Sequence, residues 1–209
     1  MKSSILRDHV REHLMQQMRL GQLKMGRTVN LAAMARELKV SVTPIREALT
    51  QLQQAGIVTA VPNRGFVISE LNRTEARELY DLIANLETMA MENATYPPAL
   101  LQQMETSLAA LGHVGEPDHR ILMKFDFHRT LTRPYGNSLA QKIMEELRTR
   151  VIFYERSLLT DTDFSEKSTM QYEGIVAAIR EENVPTAALI LKMNWMLTLD
   201  AVQKRLPQE

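Results

Sequence analysis

The chain has 209 residues, 44% of them apolar and 24% charged, a balance typical of folded globular domains and a length that suits two of them better than one. It holds no cysteine, which excludes disulfides and thiolate metal sites, and no run of 18 apolar residues. The formal charge is zero, yet residues 1–70 hold 10 Lys+Arg against 5 Asp+Glu while residues 71–209 hold 15 against 20, so the first third attracts phosphate and the remainder repels it.

In chain order, residues 5–20 are expected to form a helix that packs through Ile5, Val10, Leu14 and Met18 and closes at Gly21. A second helix carries Leu31, Met34, Ala35 and Leu38 at three- and four-residue spacing and stops at Lys39–Val40. Ser41 offers a side-chain oxygen to cap a third helix, Pro44 sits in its first turn, and Ile45, Ala48, Leu49 and Leu52 form its apolar stripe. Two helices across a turn of about four residues have helix-turn-helix spacing. Gly56 ends the third helix; Ile57–Val58–Thr59 and Phe66–Val67–Ile68 then read as strands around the turn Pro62–Asn63–Arg64–Gly65, the pattern of a wing.

The third helix presents Thr43 and Arg46 outward near its N-terminus, where free N–H groups and the helix dipole favour phosphate. Arginine also pairs bidentately with guanine in the major groove, and Arg64 at the wing tip is placed for backbone phosphate or the minor groove. Ser41, Thr43, Arg46, Arg64 and Gly65 are therefore the candidate DNA-contacting positions. The alternative for Arg46 is an ion pair with Glu47, and for Arg64 simple solvation of a loop.

After a linker at Ser69–Asn72, with Asn72 or Thr74 as cap, the pattern is entirely helical: 74–94, 98–111, 118–133, 138–158, 165–182 and 185–204, separated by Pro- and Gly-containing turns. Six helices make a bundle. The expected fold class is mainly α, a winged helix-turn-helix over residues 1–70 followed by an all-helical domain over residues 71–209.

Gly21–Gln22–Leu23, Gly26, Leu31–Ala32, the run Ser41 to Leu49, Gly56–Ile57–Val58 and Arg64–Gly65 together resemble the N-terminal winged helix of GntR-family transcription regulators. The length and helix pattern of the rest resemble the FadR subgroup with its all-helical effector domain, the FCD type. One departure is Val42, where many members carry a DNA-contacting arginine. The resemblance implies a homodimer on a pseudo-palindromic DNA operator, a small-molecule effector in the helical domain, and repression relieved by ligand as the commoner logic.

Within KFDFHRTLTRPYGN, His128 matches the family's Asp-x-x-Phe-His motif, whose aspartate and histidine hold a divalent metal with further histidines. Here Lys124 replaces the carboxylate, Tyr172 the second histidine and Asn194 the last, and Asp126, two residues from His128, points elsewhere on a helix. No metal and no other cofactor are expected. Lys124, His128, Tyr172 and Asn194 are instead candidates for a polar cluster at an effector pocket, with His128 alternatively a core histidine satisfied by Tyr172 or Asn194. A carboxylate held by Lys124 and Tyr172 is one possible ligand; a more apolar one lined by Met123, Phe127, Met193 and Trp195 is another. Ile83, where several relatives place an arginine, weakens the carboxylate reading, and core packing is the plainer role for the 13 methionines. Arg148, Arg150 and Tyr154 share a long helix whose periodicity leaves pocket and surface equally open to them.

No phosphate loop, His-Glu zinc spacing or nucleophile-base pair is signalled, so an enzyme is not expected, and His113 and His119 read as solvated. The competing non-enzymatic reading is a helical interaction protein whose winged helix contacts protein. With no signal-like segment at Met1–Leu20, neither export nor a membrane partner is expected, and the cytoplasm is the default location.

Overall fold

The computed structural model describes residues 2–19, 25–70, 72–111, 117–155, 158 and 160–207, and divides into two compact units, residues 1–71 and 72–209. Gly21, Leu71 and residues 112–116, His113 among them, lie outside the described residues, as do the side chains of Ile5 and Met18.

In the first unit, α1 (Lys2–Arg19) packs on α3 (Val42–Gln54) through Val10, Leu14 and Met15, all buried. Helix α2 (Leu31–Leu38) starts where Asn30 Oδ1 accepts from the Ala33 N–H at 2.9 Å, and stops at Lys39, whose left-handed backbone (φ 54°) lets its N–H cap the last carbonyls. Helix α3 buries Ile45, Ala48, Leu49 and Leu52, the stripe expected from spacing, together with Pro44 of its first turn.

Ser41 departs from expectation. It holds the extended backbone of an N-cap, but its side chain makes no capping bond. Pro44 explains this: it occupies the third helical position, so the N–H that a capping serine most often satisfies is absent.

The wing consists of β1 (Val58–Val61) and β2 (Gly65–Ile68), antiparallel with Val58 opposite Ile68 and Val61 opposite Gly65. Val58, Val67 and Ile68 are buried, while Pro62, Asn63, Arg64 and Gly65 are exposed. The tip requires left-handed backbone at Asn63 (φ 61°) and Gly65 (φ 78°), the conformation that favours Asn and Gly. An unforeseen third pairing lies on the other side of β2, where Val29 N–H donates to Phe66 O at 2.8 Å and Ile68 N–H to Arg27 O at 3.0 Å.

The second unit comprises α4 (Arg73–Glu92), α5 (Pro98–Leu111), α6 (Pro117–Thr132), α7 (Ser138–Glu155), α8 (Thr162–Arg180) and α9 (Val184–Gln203), with a 3-10 turn at Arg133–Tyr135. Four starts are capped by side-chain oxygens: Asn72 accepts from Glu75 N–H, Asn137 from Ala140 N–H, Asp161 from Phe164 N–H and Asn183 from Thr186 N–H. Helix α9 packs along both α4 and α8, α7 lies on α4, and α5 bridges α6 and α8. Trp195, Tyr80, Tyr154, Tyr172, Phe125 and Phe127 are all buried, so the bundle interior is aromatic as well as aliphatic.

Candidate functional site

In α3 the burial of Pro44 and Ile45 anchors the first turn and leaves Ser41, Thr43 and Arg46 on the exposed side. Among the described residues the Arg46 side chain has neither an ion pair nor a hydrogen bond, so the alternative pairing with Glu47 does not form there. The Ser41 hydroxyl, spared from capping, faces solvent at the same helix end as the free N–H groups. Arg64, on the exposed wing tip, makes one long contact of 3.4 Å to the Gly26 carbonyl, which leaves most of its guanidinium donors available. An exposed helix N-terminus with an unpaired arginine beside a cation-tipped hairpin is suited to phosphate and base edges.

The interior of the second unit holds a polar network, built around a residue that the sequence reading did not single out. Glu87 of α4 is fully buried. One of its oxygens accepts from Arg148 Nε at 2.9 Å and Nη2 at 2.6 Å; the other accepts from Trp195 Nε1 at 2.9 Å and faces His128 Nδ1 at 2.6 Å. Arg148, fully buried, also donates to the Thr132 hydroxyl and the His128 carbonyl, which settles its orientation toward the core. Arg150, by contrast, pairs with Glu75.

Burial raises the Glu87 carboxyl, but His128 and Arg148 lower it further, leaving it below the ordinary carboxylate range and ionised. Burial pushes the His128 imidazole down more than Glu87 pulls it up, which favours the neutral ring. The neutral tautomer that fits has Nδ1–H donating to Glu87 and Nε2 accepting from the Tyr172 hydroxyl at 3.2 Å. His128 is thus satisfied by Tyr172, as one expectation had it, and by Glu87 rather than Asn194.

The four expected pocket residues separate into partners. Lys124 Nζ donates to Glu155 Oε2 at 2.6 Å, Tyr172 meets His128, and Asn194 Nδ2 donates to Ser168 Oγ at 3.1 Å and Gln171 Oε1 at 2.9 Å. A cavity of about 50 Å³ opens beside them, and Lys124 and Tyr172 line it while His128 and Asn194 do not. Its other polar walls are Glu155 of α7, Arg120 of α6 and Ser165, Ser168 and Thr169 of α8; its apolar walls include Ile121 and Phe164. Lys124 is therefore not a free cation awaiting an anion, because Glu155 already neutralises it. Met193, expected on an apolar lining, is 50% exposed, since it lies on the face of α9 opposite the buried Asn194–Trp195 edge.

A divalent metal of the family type does not fit these residues. Lys124 places an ammonium where a carboxylate would bind, and both ring nitrogens of His128 are engaged. Glu87, the nearest buried carboxylate, has both oxygens committed to Arg148, Trp195 and His128.

The model of the bacterial regulatory proteins of the gntR family matches residues 6–68, and that of the FCD domain matches residues 78–194, more than half of the chain. The chain belongs to the GntR family. As a GntR-family protein with an FCD domain it is a DNA-binding transcriptional regulator with an effector-binding helical domain, not an enzyme. The reading as a protein-interaction module is thereby disfavoured. It is 30% identical over 138 residues to the Nta operon transcriptional regulator of Aminobacter aminovorans, covering 61% of this chain and 63% of that protein. The HTH-type transcriptional repressor GlaR of Escherichia coli (strain K12) is 20% identical over 200 residues, covering 88% of this chain and 90% of GlaR. Among solved structures, E. coli McbR/YncC superposes with a TM-score of 0.79 at 21% identity, over 96% of this chain and 98% of that one. That likeness supports a winged helix-turn-helix followed by a helical domain. No described helix is long and apolar enough to cross a membrane.

Proposed function

We propose that this GntR-family regulator is a cytoplasmic repressor that acts as a homodimer on a pseudo-palindromic operator and loses affinity when a small molecule occupies its helical domain. In this reading residues 1–70 contact DNA and residues 71–209 bind the effector and dimerise. The observation that carries it is the exposed start of α3, where Ser41, Thr43 and Arg46, the last with no side-chain partner among the described residues, project from a turn anchored by buried Pro44 and Ile45. Arg46 reads base edges, Ser41 and Thr43 hold phosphate, and the Arg64–Gly65 tip of the wing follows the adjacent backbone. Repression is supported by the likeness to GlaR, a transcriptional repressor.

Dimerisation is supported by two neighbouring helices of the second unit. Leu82 and Met89 on α4, and Leu189, Met193 and Met196 on α9, are large apolar side chains with between 37% and 61% of their surface exposed. The two helices pack together, and Lys192 Nζ reaches Asn85 Oδ1 at 3.3 Å between them, so the exposed groups belong to adjoining helices. A second copy would cover such a face, and a two-fold dimer would match the symmetry of a pseudo-palindromic operator. Light scattering of the purified protein tests this: a dimer is expected, Leu189→Glu with Met193→Glu should yield monomers with weakened operator affinity, and a monomeric wild type would overturn the dimeric reading.

A further inference from the structure

Resting on the effector-domain reading above, we infer that the cavity beside Lys124 and Glu155 takes a small zwitterion, an α-amino acid, whose carboxylate binds Lys124 and Arg120 and whose ammonium binds Glu155. The cavity is built around an ion pair whose members are nearly buried: Lys124 is 6% exposed and Glu155 3%. The pair is joined by one contact, Lys124 Nζ to Glu155 Oε2 at 2.6 Å. The second oxygen, Glu155 Oε1, is buried and meets no donor at hydrogen-bonding geometry; the buried Tyr80 hydroxyl, likewise unbonded by geometry, interacts with the same carboxylate and leaves it underused as an acceptor. The ammonium has three donors and sits against the faces of Trp195, Phe125 and Phe164 at 5.3, 5.7 and 5.8 Å from the ring centres. Arg120 adds a second cation on the same wall and is positioned by Ser165 Oγ at 2.7 Å.

Charge conservation selects the ligand. A simple carboxylate that drew Lys124 away would leave Glu155 buried and unpaired, and a simple amine would strand Lys124 in the same way; both outcomes are strongly unfavourable in a desolvated site. A zwitterion replaces one internal ion pair by two, one at each end of the ligand, and its ammonium brings a charged donor to the Glu155 carboxylate, where the structure offers only the Tyr80 hydroxyl beside Lys124. Ser168 and Tyr172 offer further polar contacts, while Ile121 and Phe164 form the wall for a small apolar side chain. The present volume of about 50 Å³ lies well below that of most ligand sites, so the ligand is small and its entry displaces the walls. Helices α6, α7 and α8, which carry those walls, are the elements that entry would shift.

The test is thermal unfolding and calorimetry of the full-length protein with each of the common L-amino acids at millimolar concentration. Every hit is compared with its deaminated carboxylic acid and its decarboxylated amine. The expected result is saturable binding of one or a few small amino acids and not of their single-charge analogues. Glu155→Gln should weaken that binding about ten- to a hundredfold. The double variant Lys124→Met/Glu155→Gln, which leaves no unpaired buried charge, should abolish binding while keeping its helical circular dichroism and its affinity for DNA. Equal binding of the deaminated acid, undiminished binding by the double variant, or binding of no amino acid would overturn the inference. Operator binding, measured on the same preparations, reports separately on the regulator reading: if it persists when no amino acid binds, only the ligand assignment fails.

Discussion

Arg148 and Glu87, on helices α7 and α4, form a fully buried ion pair in which one guanidinium donates through both Nε and Nη2 to a single carboxylate oxygen at 2.9 and 2.6 Å. Pairs of this kind contribute little compared with an apolar core, but breaking one strands a charge. Arg148→Met should therefore destabilise the helical unit by about 3–5 kcal/mol. Glu87→Gln in the same chain should recover part of the loss. Trp195, the one tryptophan and a partner of Glu87, makes urea unfolding followed by its fluorescence a direct measure. A loss below about 1 kcal/mol would mean that the pair is not desolvated as described.

Acidity should act through His128. Burial holds its folded value below the ordinary 6.5, so the unfolded chain takes up a proton that the folded chain refuses. Stability of the helical unit is then fully present above pH 6.5 and declines as the pH falls below it toward the folded value. Glu87, also lowered, gives its full stabilisation above its ordinary 4.5 and loses it only as the pH falls below that value, which leaves the slope between 4.5 and 6.5 to the histidine. His128→Gln should flatten the dependence of the unfolding midpoint on pH within that window; an unchanged slope would place the titration elsewhere.

The helix starts offer a contrast within one chain. Asn72 caps α4 through a 2.7 Å bond from the Glu75 N–H, whereas Ser41 makes no capping bond to α3. Asn72→Ala should cost about 1 kcal/mol of stability, and Ser41→Ala close to nothing, in thermal unfolding of the two variants. Ser41→Ala should instead weaken DNA binding. A stability loss at Ser41 equal to that at Asn72 would contradict this account of the turn.

The wing and the recognition helix should fail differently. Arg64→Ala should reduce affinity for operator and scrambled duplex alike and lessen the salt dependence of binding, because its expected contact is to phosphate. Anisotropy titrations at several salt concentrations would show it; a loss confined to the operator would assign Arg64 to base reading instead.

Local signals in the sequence carried most of the fold. The apolar stripe of α3, the Gly56 stop and the Pro62–Gly65 turn each depend on residues close in the chain, and the helices of the second unit begin and end within a few residues of the expected positions. What escaped was long-range. The pairing of Arg27–Val29 with β2 joins residues nearly 40 apart, and nothing in periodicity announces it. Glu87 and Glu155 drew no attention in the sequence, since their burial depends on Arg148 and Lys124, 61 and 31 residues away. A cation at Lys124, between Met123 and Phe125 and one turn from Ile121, was the available hint that a carboxylate faced it. Ser41 was misread because capping was inferred from residue type without asking whether Pro44 left an N–H to cap.

The central claim, that α3 reads DNA sequence through Arg46, is tested most directly by selecting genomic fragments with the purified protein beside Arg46→Ala and sequencing what is retained. The wild type should enrich a short pseudo-palindrome, and Arg46→Ala should lose about 1 to 3 kcal/mol of discrimination between that sequence and scrambled DNA. Enrichment of the same palindrome by both proteins, with unchanged discrimination, would contradict it.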